Sequence, residues 1–126
     1  MKRNTIKVDR KLFDKALELK QRGQLEEALA ALQELHLIVP DDPIICGIIG
    51  EIHWDQGNLI HAIRWFSTAT RLAPKSELAS LGLFHVLWEA NKKGLAVAEM
   101  NRYLAIGKSR EFRTIQRELR IKSASA

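Results

Sequence analysis

Cysteine is almost missing from this 126-residue chain. Cys46 stands alone, so no internal disulfide can form and no thiolate set is available to a structural zinc ion. Three prolines and seven glycines are too few for a fibrous or low-complexity chain. Long apolar runs are lacking as well. The most apolar windows, residues 44–52 and 79–88, fall far short of the roughly 20 residues that cross a bilayer. The basic start MKRNTIKVDRKLF is not followed by an apolar stretch of leader length. Together these absences exclude a disulfide scaffold, a collagen-like rod and a helical membrane span. They leave a soluble, cytoplasmic domain as the expectation.

Catalytic constellations are missing too. The histidines, His36, His53, His61 and His85, contain no His-x-x-x-His pair for a helical metal site. Gly47 and Gly50 are separated by Ile48-Ile49 within a helical stretch and make no phosphate loop. Glu26-Glu27 and Asp41-Asp42 fall at helix starts or linkers, where acids are solvated or favoured by the helix dipole. No enzyme, cofactor, metal site or small-molecule substrate is expected.

Charge is unevenly spread. Residues 1–42 hold eight basic and eight acidic side chains, 43–76 three and two, 77–108 four and three, and 109–126 five and two. The net +5 therefore sits mainly in the last segment, which speaks against a nucleic-acid binder that uses its whole surface.

What is present is a period. A shift of 34 residues lays Gly23-Gln24-Leu25 on Gly57-Asn58-Leu59, and Ala28 on Ala62 and Ala96. It also lays Leu32 on Phe66 and Met100, Pro40 on Pro74, and Trp54 on Trp88. No insertion is needed to hold this register from Asp9 to Lys108. Each unit reads as two helices. In the second, Asp42 can cap a helix that opens at Pro43, and Ile45, Ile48, Ile49 and Ile52 recur at helical spacing. Gly57-Asn58 breaks it, with Asn58 a candidate cap for the next helix, and Pro74 ends that one. Ser76 and Ser109 are candidate caps further along.

This pattern resembles the tetratricopeptide repeat family, whose 34-residue unit runs W-x2-L-G-x2-Y, then A-x3-F, then P. Ile49-Gly50, His53, Ala62, Phe66 and Pro74 carry the match in the second repeat. Ala16, Leu19, Ala28, Leu32 and Pro40 carry it in the first, and Leu83, Leu87, Ala96 and Met100 in the third. The resemblance implies an all-α, right-handed helical-repeat solenoid of three helix pairs plus a C-terminal capping helix. Its expected divisions are an arm at 1–8, repeats at 9–42, 43–76 and 77–108, a capping helix at 109–122 and a tail at 123–126. Departures are Cys46 and Ser80 in the tryptophan column, Phe84 in a small-residue column, and Leu35 and Tyr103 in another. The third repeat is therefore expected to pack irregularly, eased by Gly82.

In the capping segment Phe112, Ile115 and Leu119 share one helical face, while Arg110, Arg113, Arg117 and Arg120 share the other. The arginines read either as a solvated face or as a basic stripe for an acidic partner or a phosphate backbone. No aromatic residue interleaves them, so stacking of single-stranded nucleic acid is not expected.

The resemblance also implies a concave, ligand-binding surface on the first helix of each repeat. Its columns hold Arg10, Phe13, Asp14, Leu17 and Lys20, then Ile44, Gly47, Ile48, Glu51 and Trp54, then Leu78, Leu81, Gly82, His85 and Trp88. Some members hold a carboxylate-terminated peptide there with lysines and asparagines. Phe13, Leu17, Glu51, Leu78 and Gly82 occupy those places here, so that clamp is absent. What remains suits an apolar or amphipathic peptide segment. Trp54 and Trp88 are candidate anchors, the alternative being core residues at the helix turn. His85 is a candidate polar contact, His53 a core histidine, Cys46 a packing residue, and Trp65 a packing or outer-surface residue. The functional expectation is a protein-interaction module. Two alternatives stand beside it: a dedicated chaperone or immunity-like partner of one client, and a homo-oligomer assembled through the groove.

Overall fold

The computed structural model describes residues 9–125. The expected arm at 1–8 and the final Ala126 lie outside the described residues. Seven helices and no strand occur among those residues: α1 (Arg10–Gln21), α2 (Leu25–Ile38), α3 (Pro43–Asp55), α4 (Leu59–Leu72), α5 (Glu77–Glu89), α6 (Lys93–Ile106) and α7 (Arg110–Ser125). Consecutive helices pack as neighbours from α1 to α6, and α3 also touches α5. The architecture is a helical-repeat solenoid of three pairs, with α7 at its end.

Local chemistry places the helix ends. Asp42 accepts hydrogen bonds from the backbone N–H groups of Ile44 (2.9 Å) and Ile45 (3.3 Å), and Pro43 opens α3 behind it. Ser76 accepts from Ala79 N–H (3.2 Å), and the buried Ser109 from Phe112 N–H (3.0 Å). Asn58 makes no side-chain capping bond; α4 is entered instead through the backbone turn at Gly57. That turn recurs every 34 residues. Gly23 (φ 78°), Gly57 (φ 79°) and Asn91 (φ 61°) all adopt the left-handed conformation, which glycine enters freely and asparagine tolerates. The last helix runs to Ser125, past its expected end at 122, because Ser123-Ala124-Ser125 contains no helix breaker.

Packing explains the small residues. Ala28, Ala62 and Ala96, one in each repeat, are all 0% exposed. A methyl at the crossing lets paired helix axes approach to roughly 8–10 Å. Two main clusters form the core. One spans the first repeat and α3 around Leu32, Leu35, Ile45 and Ile49, and the other runs from Ala62 and Phe66 through Phe84 to Phe112.

The departures from the family pattern are compensated from other helices. Cys46 and Ser80, both buried, leave the volume of a tryptophan to be filled. Beside Cys46 that volume is supplied by Trp65 of α4, whose ring meets His36 edge-on at 4.8 Å. Beside Ser80 it is supplied by Glu99 of α6, which accepts from Ser80 Oγ (2.5 Å) and from Arg102 Nε (2.8 Å) and Nη2 (2.7 Å). Arg102 Nη1 in turn donates to the Pro74 carbonyl at 3.0 Å, joining the third repeat to the linker before it. The hydrogen bonds to Glu99 push the Arg102 pKa up from its ordinary value.

Gly82 acts differently from expectation. The groups a side chain there would strike belong to Phe66 of the preceding repeat, whose ring also lies 3.1 Å from the place of a Cβ at Gly50. One phenyl ring thus threads between α3 and α5, and both helices are bare where it passes. The bulky residues of the third repeat make a receptor for the cap. Phe112 is 0% exposed, edge-on to Phe84 at 5.6 Å and 5.7 Å from Tyr103.

Candidate peptide-binding groove

Helices α3 and α5, which also touch each other, leave a cleft of about 260 Å³ between them. Pro43, Ile44, Gly47, Ile48 and Glu51 form the α3 wall, Leu78 and Ala79 the α5 wall, and Ala73 and Ser76 close one end. Phe66 reaches the cleft through the gap between Gly50 and Gly82. Ile44 and Leu78, equivalent positions one repeat apart, are 64% and 75% exposed. A Cβ added at Gly47 would meet nothing within 4 Å. The result is an apolar cleft with two large aliphatic side chains on its rim. At its edge Glu51 is engaged by Lys20 of α1 at 3.2 Å.

The expected site residues divide into three groups. Ile44, Ile48, Glu51 and Leu78 meet around this cleft. Phe13 and Leu17 are half-buried on α1 and do not line it; Phe13 packs onto the first core cluster beneath the Arg10 guanidinium, 5.9 Å from the ring centre. Leu81, Trp54, His85 and Trp88 lie along the third-repeat core.

Trp54 and Trp88 are half-buried and held by side chains of this chain. The Trp54 indole N–H donates to Glu89 at 2.6 Å, and its ring stacks on His85 at 6.1 Å with 13° between the planes. His85 Nε2 lies 3.3 Å from Glu111 of α7. Trp88 stacks on Phe84 at 5.7 Å, with Lys93 5.0 Å from its ring centre. A second, smaller cleft of about 220 Å³ lies between α5 and α7, lined by His85, Trp88, Ile115, Glu118, Leu119 and Lys122 beside Phe84. Glu89 and Glu111 were not readable as partners of Trp54 and His85. Their separations of 35 and 26 residues obey no local periodicity.

His53 is buried, and its ring stacks on that of His61 at 5.1 Å. Its Nδ1 has no hydrogen-bond partner among the described residues. Burial pushes the imidazole below its ordinary pKa of 6.5, and His61 adds to the effect. Burial likewise raises the Cys46 thiol pKa, which keeps it un-ionised and unreactive.

Arg110, Arg113, Arg117 and Arg120 are all exposed on α7, while Phe112, Ile115 and Leu119 face the core. Among the described residues no group of three His, Cys, Asp or Glu side chains is placed to hold a metal ion, and no helix is long and apolar enough to cross a membrane.

Neither protein-family profiles nor curated proteins match the chain. Solved structures do. The first tetratricopeptide domain of Spaghetti (RPAP3), bound to the HSP90 peptide SRMEEVD, superposes with a TM-score of 0.77 at 16% identity, over 90% of each chain. The Sgt2 tetratricopeptide domain of Aspergillus fumigatus gives 0.76 at 18% identity, over 91% of this chain and 80% of that one. The Yersinia enterocolitica type III secretion chaperone SycD, in complex with a peptide of the translocator YopD, gives 0.73 at 19% identity, over 90% and 86%. The fold is therefore that of the tetratricopeptide-type solenoid.

Proposed function

We propose that this protein is a protein-interaction module that takes an apolar or amphipathic peptide segment into the cleft between α3 and α5. The observation that carries the reading is the cleft itself, apolar and rimmed by the exposed Ile44 and Leu78. Exposed aliphatic side chains beside an apolar hollow mark binding surfaces, because covering them removes apolar area from water. The open space above Gly47 leaves room for one large ligand side chain between the two rim residues.

Acidic tails are poor candidates. Glu51 places a carboxylate at the cleft edge, and Phe13, Leu17, Leu78 and Gly82 offer no cationic clamp. The Spaghetti domain binds SRMEEVD; this chain is expected not to. A second reading is a dedicated chaperone for one client, favoured by the likeness to SycD bound to a peptide of its translocator.

Selection from a displayed library of 12-residue peptides tests the proposal. The wild type should enrich segments with large apolar side chains. Ile44→Asp and Leu78→Asp should lose those peptides while melting as the wild type does, since both positions are exposed. SRMEEVD should show no binding. Enriched peptides that bind both variants as well as the wild type would overturn the assignment.

A further inference from the structure

The two ends of the solenoid carry opposite charge. Residues 9–42 hold five basic and eight acidic side chains, and residues 109–125 five and two. The contrast is sharpest between two helices. Helix α2 contains Glu26, Glu27 and Glu34 and no lysine or arginine, whereas α7 carries Arg110, Arg113, Arg117 and Arg120.

Neither set is neutralised within the chain. All seven side chains are exposed, and no ion pair engages any of them among the described residues. The two glutamates of α7 are turned elsewhere, Glu111 to His85 and Glu118 to the cleft beside Trp88. Along α7 the arginines follow one another at three, four and three residues, so each has a like charge as its neighbour on the helix surface. Such neighbours destabilise an isolated helix. An external counter-charge would relieve them.

The spacings also match. The exposed ridge of α2 formed by Glu27, Ala30, Glu34 and Leu37 repeats the same three-four-three interval. Glu27 to Glu34 and Arg113 to Arg120 both span seven residues, about 10.5 Å of helix axis. Laid parallel or antiparallel, two glutamates meet two arginines. Ala30 leaves room beside a third, and the exposed Leu37 can cover the aliphatic stem of the fourth.

We propose that the arginine face of α7 docks on the glutamate face of α2 in a second copy of this chain, joining copies head to tail. Such a contact uses two different surfaces of one molecule, so it leaves a free α2 and a free α7 at the ends and can propagate. It does not use the α3–α5 cleft, which stays open for its peptide.

Sedimentation velocity across a concentration series, at about 0.01 M and about 1 M salt, reads the association directly; the Debye length falls from about 30 Å to about 3 Å between them. The wild type should gain mass with concentration at low salt and be monomeric at high salt. Arg113→Glu/Arg117→Glu and Glu27→Arg/Glu34→Arg should each weaken self-association at least about tenfold, with unchanged circular dichroism. Mixed in equal amounts they should associate again, because each supplies the charge that the other lacks. A wild type that stays monomeric at low salt would overturn the proposal. So would association that survives both reversals, association abolished only by Ile44→Asp, or a mixture that remains monomeric. Binding of a duplex DNA probe lost in the arginine variant, with self-association intact, would assign the stripe to polyanions instead.

Discussion

The passage of Phe66 between two bare helix positions can be tested by a pair of glycine substitutions with opposite outcomes. Gly47 and Gly82 both lie inside helices, so replacing either with alanine gains about 1 kcal/mol of helix propensity. At Gly47 nothing opposes the gain, because the new Cβ meets nothing within 4 Å. Gly47→Ala should therefore raise the stability by roughly that amount, or about 3–5 °C in Tm for a chain of this size. At Gly82 the new methyl collides with the Phe66 ring, flanked on its other side by Gly50. Overpacking of a filled core costs about 1–3 kcal/mol, so Gly82→Ala should be neutral to about 2 kcal/mol destabilising. Shortening the ring relieves the collision. In a double-mutant cycle by urea unfolding, Gly82→Ala and Phe66→Leu should couple by about 1 kcal/mol or more, the double variant being more stable than the single effects predict. Additivity within about 0.3 kcal/mol, or a Gly82→Ala protein as stabilised as Gly47→Ala, would refute the threading of Phe66.

Glu99→Ala removes three hydrogen bonds and leaves Ser80 buried without its acceptor; with Arg102 able to rehydrate, chemical denaturation should show a loss of about 2 kcal/mol. His53 binds its proton less readily in the folded than in the unfolded chain, so unfolding takes up protons below pH 6.5. Stability should hold above that pH and decline below it, by at most about 1.4 kcal/mol per pH unit for one group, until the folded pKa is passed. His53→Phe should remove that component, and an unchanged profile in this variant would exclude His53 as its source. Ala62→Arg should abolish cooperative thermal melting followed by circular dichroism, because a guanidinium cannot fit a 0%-exposed helix crossing.

Much of this architecture was legible before any coordinates. A 34-residue period, turn glycines at 23 and 57, and alanines at 28, 62 and 96 express constraints that act locally or at fixed offsets. Helix starts at Asp42, Ser76 and Ser109 follow from hydrogen bonds spanning two or three residues. Such signals survive in one dimension because donor and acceptor are near neighbours in the chain. Ile44, Ile48, Glu51 and Leu78 became groove candidates only through the resemblance to the tetratricopeptide pattern, which implies that the first helix of each repeat lines the groove.

Which of the candidates share a cleft was settled only by packing. Whether Phe13 and Leu17 stand with Ile44 depends on how α1 is set against α3, and no periodicity encodes that angle. Trp54 finds Glu89 and His85 finds Glu111 across repeat boundaries, where the partners are chosen by the stacking of whole helix pairs. Gly82 shows the same division most clearly. Its sequence position points to relief of its own crowded repeat, yet its missing side chain makes room for a ring from the repeat before it. Sequence alone specified the repeating unit, because that unit is built from short-range contacts. Tertiary structure decided what lies between units, because steric fit between side chains distant in the chain exists only once the helices are packed.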